Sequence, residues 1–434
     1  MNYNEALEYV EAVSKYGIVP GLDSIRELCR RLGNPQDELK FVHIAGTNGK
    51  GSTLAYVSTI LQSAGYRVGK YISPVIFEYR ERIQIGKRMI TKAALCEGLE
   101  LIREICDRMV EDGFHHPTPF EIETALAFWY FRREQCDIVV LETGMGGLMD
   151  ATNLITTTQV AVLVSIGMDH MQYLGKTLAE IAAQKAGIIK NACYVVSMKQ
   201  QPEAMTVIEE VCRQKSCELC IADSSQATHI RYGMEKQFFD YAGYRKLEIT
   251  MAGKFQIDNA ALAVEVIRAL EGCGYVISEK ALRKGLKETQ WKGRFSLLGK
   301  KPFFVVDGAH NEDAAQKLAD SIEFYFTNKR IIYIMGILRD KEYEKVISLT
   351  EKYADQIITV TPANPRAMHA YELAQEVARI HPNVTAVDSL EEAVEMSYLL
   401  AGKDDVIIAF GSLSYLGDLM KVVDRKAVKH YGKS

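Results

Sequence analysis

Residues 40–56, K-F-V-H-I-A-G-T-N-G-K-G-S-T-L-A-Y, constrain what this 434-residue chain can fold into more than any other stretch. Phe41 to Ala45 is a short apolar run fit for a buried strand, Gly46 to Gly51 places three glycines in six residues, and Ser52 opens an amphipathic helical pattern. A strand that passes through glycines into a helix makes a phosphate loop. The glycines let the backbone approach an oxyanion, the N–H groups at the helix start point at it, and Lys50 adds a mobile positive charge. The spacing departs from G-x-x-x-x-G-K-[ST], because Ile44 stands where the first glycine belongs and Gly51 separates Lys50 from Ser52. The alternative is a Gly-rich connection with a solvated lysine; the strand, glycine, helix order outweighs it.

A chain of this length exceeds the usual single domain, so two or three are expected, and with 48% hydrophobic residues it can bury a large core. Net charge is -4 and the basic residues are scattered, which argues against nucleic acid or an anionic membrane as partner. No apolar run reaches the roughly 18 to 20 residues that span a bilayer, and the first residues, M-N-Y-N-E-A-L-E-Y-V, carry an acidic amphipathic pattern, so a soluble cytoplasmic chain without an export signal is expected. The nine cysteines sit mostly in helix or strand patterns as reduced small hydrophobes. Cys212, Cys217 and Cys220 with His229 can be drawn as a zinc site, but the spacing is irregular and a structural reading is favoured. His115 and His116 lie beside prolines and read as a solvated loop.

Along the chain, residues 1 to 32 read as two helices with a break at 17 to 21. A strand follows at 67–72. The alternating charges of E-Y-R-E-R-I-Q-I-G suit a surface excursion. Helices are expected near 91–112 and 120–133. Asp137 to Leu141, ending at Glu142, and Gln159 to Ile166, ending near Asp169 and His170, are nearly all apolar, as strands of a parallel sheet buried on both faces would be. Ligands collect at the carboxyl ends of such strands, where Glu142, His170 and the phosphate loop all fall. From about 193 to 250 short alternating segments suggest an antiparallel addition. Q-W-K-G-R-F-S, 290–296, is the linker candidate. Beyond it, strands at 303–306, 331–335, 357–360, 384–387 and 406–410 alternate with helices, and Asp307 and His310 again follow a strand end. The fold class expected is α/β: an N-terminal P-loop ATPase-like doubly wound sheet with a small antiparallel addition over 1–295, and a smaller C-terminal Rossmann-like α/β domain over 296–434.

Taken in order, A-G-T-N-G-K-G-S-T, S-P with E-R-I-Q-I, P-T-P-F-E, G-M-G-G-L-M-D-A-T-N, D-H-M-Q-Y-L-G-K-T, Q-K-A-G-I-I-K, G-R-F, D-G-A-H-N and G-S-L-S-Y-L carry a specific likeness over essentially the whole chain. The sequence resembles the folylpolyglutamate synthases, often bifunctional with dihydrofolate synthase in bacteria, of the Mur ligase superfamily. That resemblance implies an ATP-dependent amide-forming ligase. A folate carboxylate attacks the ATP γ-phosphate, and the amine of L-glutamate then attacks the acyl phosphate.

It further implies that Gly49, Lys50, Gly51 and Ser52 hold the phosphates, with Asn259, Arg294 and Asp307 near the nucleotide. Ser73, Glu142 and His170 match the magnesium positions, for one ion or two, and a monovalent cation belongs to the same expectation. Lys185 matches the lysine that the family carries as a carbamate; read without the family it is an ordinary helix lysine. His310 has a phosphate-side role or caps a helix start, and Phe120 and Asp150 fall on the folate side. A monomer acting on folate or dihydropteroate, L-glutamate and ATP is expected. The chain departs from the family's common residues at Val75, at Gly147-Leu148-Met149-Asp150 and at Gly253-Lys254-Phe255-Gln256. The first two border the pterin side and leave dihydropteroate use open. Other Mur-type amino-acid ligases, a small-molecule kinase and a nucleotide switch remain as alternatives; for the switch, Asn328-Lys329 lacks the aspartate of a guanine-reading motif.

Overall fold

The computed structural model describes residues 1–17 and 21–431; most of the expected break at 17 to 21 lies outside them. In chain order, α1 (Tyr3–Ala12) and α2 (Asp23–Arg31) precede β1 (Phe41–Ala45) and α3 (Lys50–Ser63). Then come β2 (Val68–Tyr71), β3 (Ile83–Ile85), β4 (Arg88–Met89), α4 (Lys92–Glu111), α5 (Pro119–Arg133), β5 (Ile138–Glu142), β6 (Thr158–Leu163), α6 (Met171–Leu174), α7 (Leu178–Ala186), β7 (Tyr194–Met198), α8 (Pro202–Gln214) and β8 (Glu218–Ala222). A short run of strands, β9 (Thr228–Arg231), β10 (Gln237–Tyr241) and β11 (Tyr244–Ile249), leads to α9 (Phe255–Gly272) and α10 (Glu279–Glu288). The remainder is β12 (Ser296–Lys300), β13 (Phe303–Val306), α11 (Glu312–Tyr325), β14 (Ile331–Met335), α12 (Tyr343–Thr350), β15 (Gln356–Thr359), α13 (Ala370–Ala378), β16 (Val384–Ala386), α14 (Leu390–Leu400), β17 (Val406–Phe410) and α15 (Leu413–Tyr431).

The chain forms two compact units, one of Met1–Thr228, Tyr241–Leu247 and Asp258–Thr289, the other of His229–Asp240, Glu248–Ile257 and Gln290–Ser434. The first is built on an eight-stranded sheet of order β4-β3-β2-β5-β1-β6-β7-β8. From β2 to β8 neighbours run parallel, and β1, β5 and β6 are buried almost throughout. With β1 between β5 and β6, the loops after these strands open at the carboxyl edge where the strand order reverses, the position at which doubly wound sheets bind ligands. One apolar core, including Phe41, Phe128 and Leu141, underlies α1, α2, α4 and α5; a second, including Leu163, Ile181 and Val195, lies under α7 and α8. The second unit carries a six-stranded sheet of order β12-β13-β17-β14-β15-β16, parallel except for β12, around Tyr333, Met335 and Phe410.

Several expectations are corrected. The segment around Glu81 to Ile85 is no surface excursion: β3 pairs antiparallel with β2 and with β4, Ile83 is buried, and the charged residues occupy the 3-10 turn before it. The separate three-stranded sheet, of order β11-β10-β9, begins at 228, not 193, because β7 and β8 extend the main sheet in parallel with α8 as their crossover. Strand β12, absent from the sequence reading, adds an antiparallel edge. Helix α3 is not amphipathic in its surroundings. Gly51 to Ser58, Ile60 and Leu61 are all buried, and Gly285 of α10 lies so close that a Cβ there would stand 2.4 Å from the Cα of Ile60. His116 stacks on Tyr16 at 4.3 Å, in the loop expected for it.

Candidate active site

The loop from β1 into α3 is shaped by two left-handed glycines, Gly46 at φ 148° and Gly49 at φ 100°. Space is as decisive as conformation: a Cβ on Gly46 would stand 2.1 Å from Val164 Cγ2, and one on Gly49 would stand 2.6 Å from Asn259 Oδ1. The loop is laced to the chain after β6. Thr47 N donates to the Ser165 carbonyl at 2.7 Å, Ser165 Oγ to the Asn48 carbonyl at 3.0 Å, and Gly167 N to Thr47 Oγ1 at 3.0 Å. Gln200 braces that segment in turn, donating to the Val164 carbonyl and accepting from Ile166 N. Thr47, Ser165 and Gln200 escaped the sequence reading. Their only signal was a polar residue next to a strand end.

Two lysines converge on one carbonyl. Lys50 Nζ donates to Gly46 O at 3.1 Å and to Thr47 O at 3.3 Å, and Lys185 Nζ, from α7, donates to the same Gly46 O at 2.9 Å. Lys185 is buried; that burial, with the Lys50 charge beside it, pulls its amine down to about 7 against the pull of Asp169 and Asp150. The Lys50 charge and the N–H groups at the start of a buried helix are fit to hold an anion.

Glu142 ends β5 with its carboxylate buried, and Ser73 N donates to its Oε2 at 3.3 Å, so two of the three expected metal positions meet after β2 and β5. His170 stands in the left-handed region at φ 49° after β6, with Asp169 accepting from its amide. Among the described residues no group of three or more His, Cys, Asp or Glu could hold a metal by itself. The donor chemistry still fits magnesium, which takes one or two carboxylates and completes its octahedron with water and substrate phosphates.

Asp150 closes the loop after β5. Its Oδ2 accepts from Gly144 N and Met145 N at 2.9 Å each, while its Oδ1 accepts from Thr152 N at 3.0 Å and Thr152 Oγ1 at 2.5 Å. Burial raises its pKa against these donors. The carboxylate is therefore occupied in bracing its own loop. Phe120, at the start of α5, covers Gly144 so closely that a Cβ there would stand 2.7 Å from the ring. Tyr71 packs on the same phenyl ring at 6.0 Å.

In the second unit G-R-F and D-G-A-H-N fold into one cluster. Asp307, buried after β13, accepts from Phe295 N at 2.7 Å and Ala309 N at 2.8 Å, and Gly308 N donates to Gly293 O at 2.9 Å. Burial pushes the Asp307 carboxyl up and the Arg294 charge pulls it back. A Cβ on Gly308 would stand 2.1 Å from Arg294 Nη1. His310 Nδ1 lies 2.7 Å from the Gly308 carbonyl, and Asn311 caps α11. The cysteines of the zinc candidate are separately engaged: Cys212 is buried in α8, Cys217 Sγ donates to Lys190 O, and Cys220 Sγ to Glu265.

Residues 44–267 match the Mur ligase middle domain and residues 293–413 the Mur ligase glutamate ligase domain. The chain is 33% identical over 431 residues to the dihydrofolate synthase/folylpolyglutamate synthase of Bacillus subtilis, covering 96% of this chain and 98% of that one. The crystal structure of a Thermotoga maritima folylpolyglutamate synthase superposes with a TM-score of 0.84 at 33% identity, covering 98% and 97% of the two chains. Escherichia coli FolC, solved in complex with DHPP and ADP, gives a TM-score of 0.84 at 28% identity over 98% and 99%.

Proposed function

The chain belongs to the folylpolyglutamate synthase/dihydrofolate synthase family of Mur ligases, and on that premise we propose that it joins L-glutamate to the carboxylate of a reduced folate at the expense of ATP, and to dihydropteroate as well. The observation that carries this reading is the convergence of Lys50 and Lys185 on the Gly46 carbonyl, at the head of a buried helix on the carboxyl edge of the sheet. Dihydropteroate use is supported by the double name of the Bacillus subtilis relative, and nucleotide use by the ADP bound to the Escherichia coli one.

In this reading the folate carboxylate oxygen attacks the γ-phosphorus, ADP leaves, and the acyl phosphate is attacked by the glutamate amine, which loses a proton as the amide forms and phosphate departs. No protein nucleophile is needed; catalysis is positioning and charge stabilisation. Gly49, Lys50, Gly51 and Ser52 are assigned to the phosphates, and Asn259, Arg294 and Asp307 to the nucleotide. Ser73, Glu142 and His170 would hold magnesium, which supplies charge neutralisation at the phosphates. Lys185 is assigned as a carbamate: its low pKa leaves a neutral amine that can add to CO2 with release of a proton. His310 is assigned to the phosphate side. Asp150 shapes the loop beneath Phe120 on the folate side. The two ligase domains are taken to meet near residue 290, so that Gly293, Arg294 and Phe295 belong to the second, and the chain is taken to work as a cytoplasmic monomer on small molecules.

The deciding experiment is ADP release with Mg-ATP and L-glutamate, run with a reduced folate and separately with dihydropteroate, products weighed by mass spectrometry. An added glutamate on both acceptors is expected. A phosphorylated acceptor would mark a kinase, and silence with both would send the search to other Mur-type acceptors.

A further inference from the structure

We propose that His43 is a positioning residue, which from the middle of β1 sets, through Thr152, the orientation of the Asp150 carboxylate and with it the Gly144–Met145 turn. Strand β1 is otherwise Phe41, Val42, Ile44 and Ala45, and the imidazole in their midst is fully buried. Its Nε2 lies 2.9 Å from Thr152 Oγ1, and Thr152 Oγ1 lies 2.5 Å from Asp150 Oδ1. A hydroxyl has one proton. Spent on the carboxylate, it leaves the Thr152 oxygen to accept from His43, which fixes the Nε2–H tautomer. Burial, with the Lys190 charge adding to it, pulls the His43 pKa down to about 3, so the ring is neutral at working pH. Nδ1 then carries a lone pair, and it makes no hydrogen bond among the described residues. A buried acceptor left unpaired is destabilising. An apolar side chain would fill this place without that cost, so what the histidine contributes is the N–H it aims at Thr152. The chain of bonds ends on the two amides that Asp150 Oδ2 holds at 2.9 Å.

Its consequence for turnover rests on the ligase reading, in which this loop and Phe120 face the folate. His43 then governs affinity for the acceptor and not for the nucleotide. The test compares His43→Leu, Thr152→Val and Thr152→Ser in the full chain by two measurements: hydrogen exchange of the Gly144 and Met145 amides, and KM for a reduced folate against KM for ATP in ADP release. His43→Leu and Thr152→Val are each expected to speed exchange at those amides selectively and to raise the folate KM about tenfold, the scale of one buried hydrogen bond. The ATP KM should stay unchanged, Thr152→Ser should restore both readouts, and the double variant should be no worse than either single one. Unchanged exchange, an equal rise in the ATP KM, or fully additive effects would overturn the proposal. If His43→Leu does not fold, Thr152→Val, the smaller change, decides alone. If the wild type turns over no folate the ligase reading falls, and the exchange measurement still judges the relay.

Discussion

Lys50 and Lys185 act on one carbonyl from two elements, and their chemistry separates by environment. Lys50 is half-buried and donates to the Gly46 and Thr47 carbonyls of its own loop. Lys50→Ala should therefore leave the circular dichroism spectrum intact while lowering kcat by about 10²–10³, the scale of losing one charge-stabilising donor; full turnover would remove the loop from the mechanism. Lys185 is enclosed, and in CO2-depleted buffer, where no carbamate forms, its amine lies at about 7 in the fold against 10.5 as a free side chain. Between those values the unfolded chain binds the proton and the folded chain does not, so this group makes stability rise with pH from about 7 towards 10.5. Urea unfolding at pH 7 and pH 9 should show a smaller gain for Lys185→Met than for the wild type. An identical pH slope in the two would contradict the burial argument.

At the scale of elements, α3 is held where α10 comes close to it, near the end opposite the 46–51 loop. Gly285→Ala tests it. Alanine in a helix interior gains up to about 1 kcal/mol in propensity, but here its Cβ would stand 2.4 Å from backbone, which cannot move like a side-chain tip. Overpacking of this kind costs about 1–3 kcal/mol, so the variant should melt at lower temperature. Because α3 carries the phosphate loop at its first turn, the ATP KM should rise as well; an unchanged melting point would mean that the helices separate freely. The short segment at 83–85 illustrates the opposite situation. Three residues cannot show a reliable period, and only the partner strand β2 reveals that Ile83 belongs to a sheet.

At the scale of the molecule, the two units have separate apolar cores and each holds one of the two tryptophans, Trp129 in the first and Trp291 in the second. Phe410, fully buried and edge-on to Tyr333 at 4.9 Å, is central to the second core. Phe410→Ala should cost about 3–5 kcal/mol. With Trp129→Phe as background, the Trp291 fluorescence transition should move to lower denaturant, while the complementary Trp291→Phe background should show a smaller shift at Trp129. Equal shifts would mean that the chain unfolds as one cooperative body.

Most of the architecture is legible in the sequence, because continuous apolar strands separated by helices have few ways to bury both faces of a sheet. The strands at 303–306, 331–335 and 406–410 fall where their apolar runs lie, and the loop from β1 into α3 was readable from its three glycines. What the linear order could not contain is convergence. Lys185 and Gly46 are 139 positions apart, His43 and Thr152 109, and neither pair has a local periodicity to announce it. The sequence by itself determined which residues are apolar, which turns need glycine and therefore which sheets form. Only the tertiary structure decided which polar groups share a buried space, and in a low dielectric it is that sharing which lowers the Lys185 pKa and turns Asp150 into the brace of its loop.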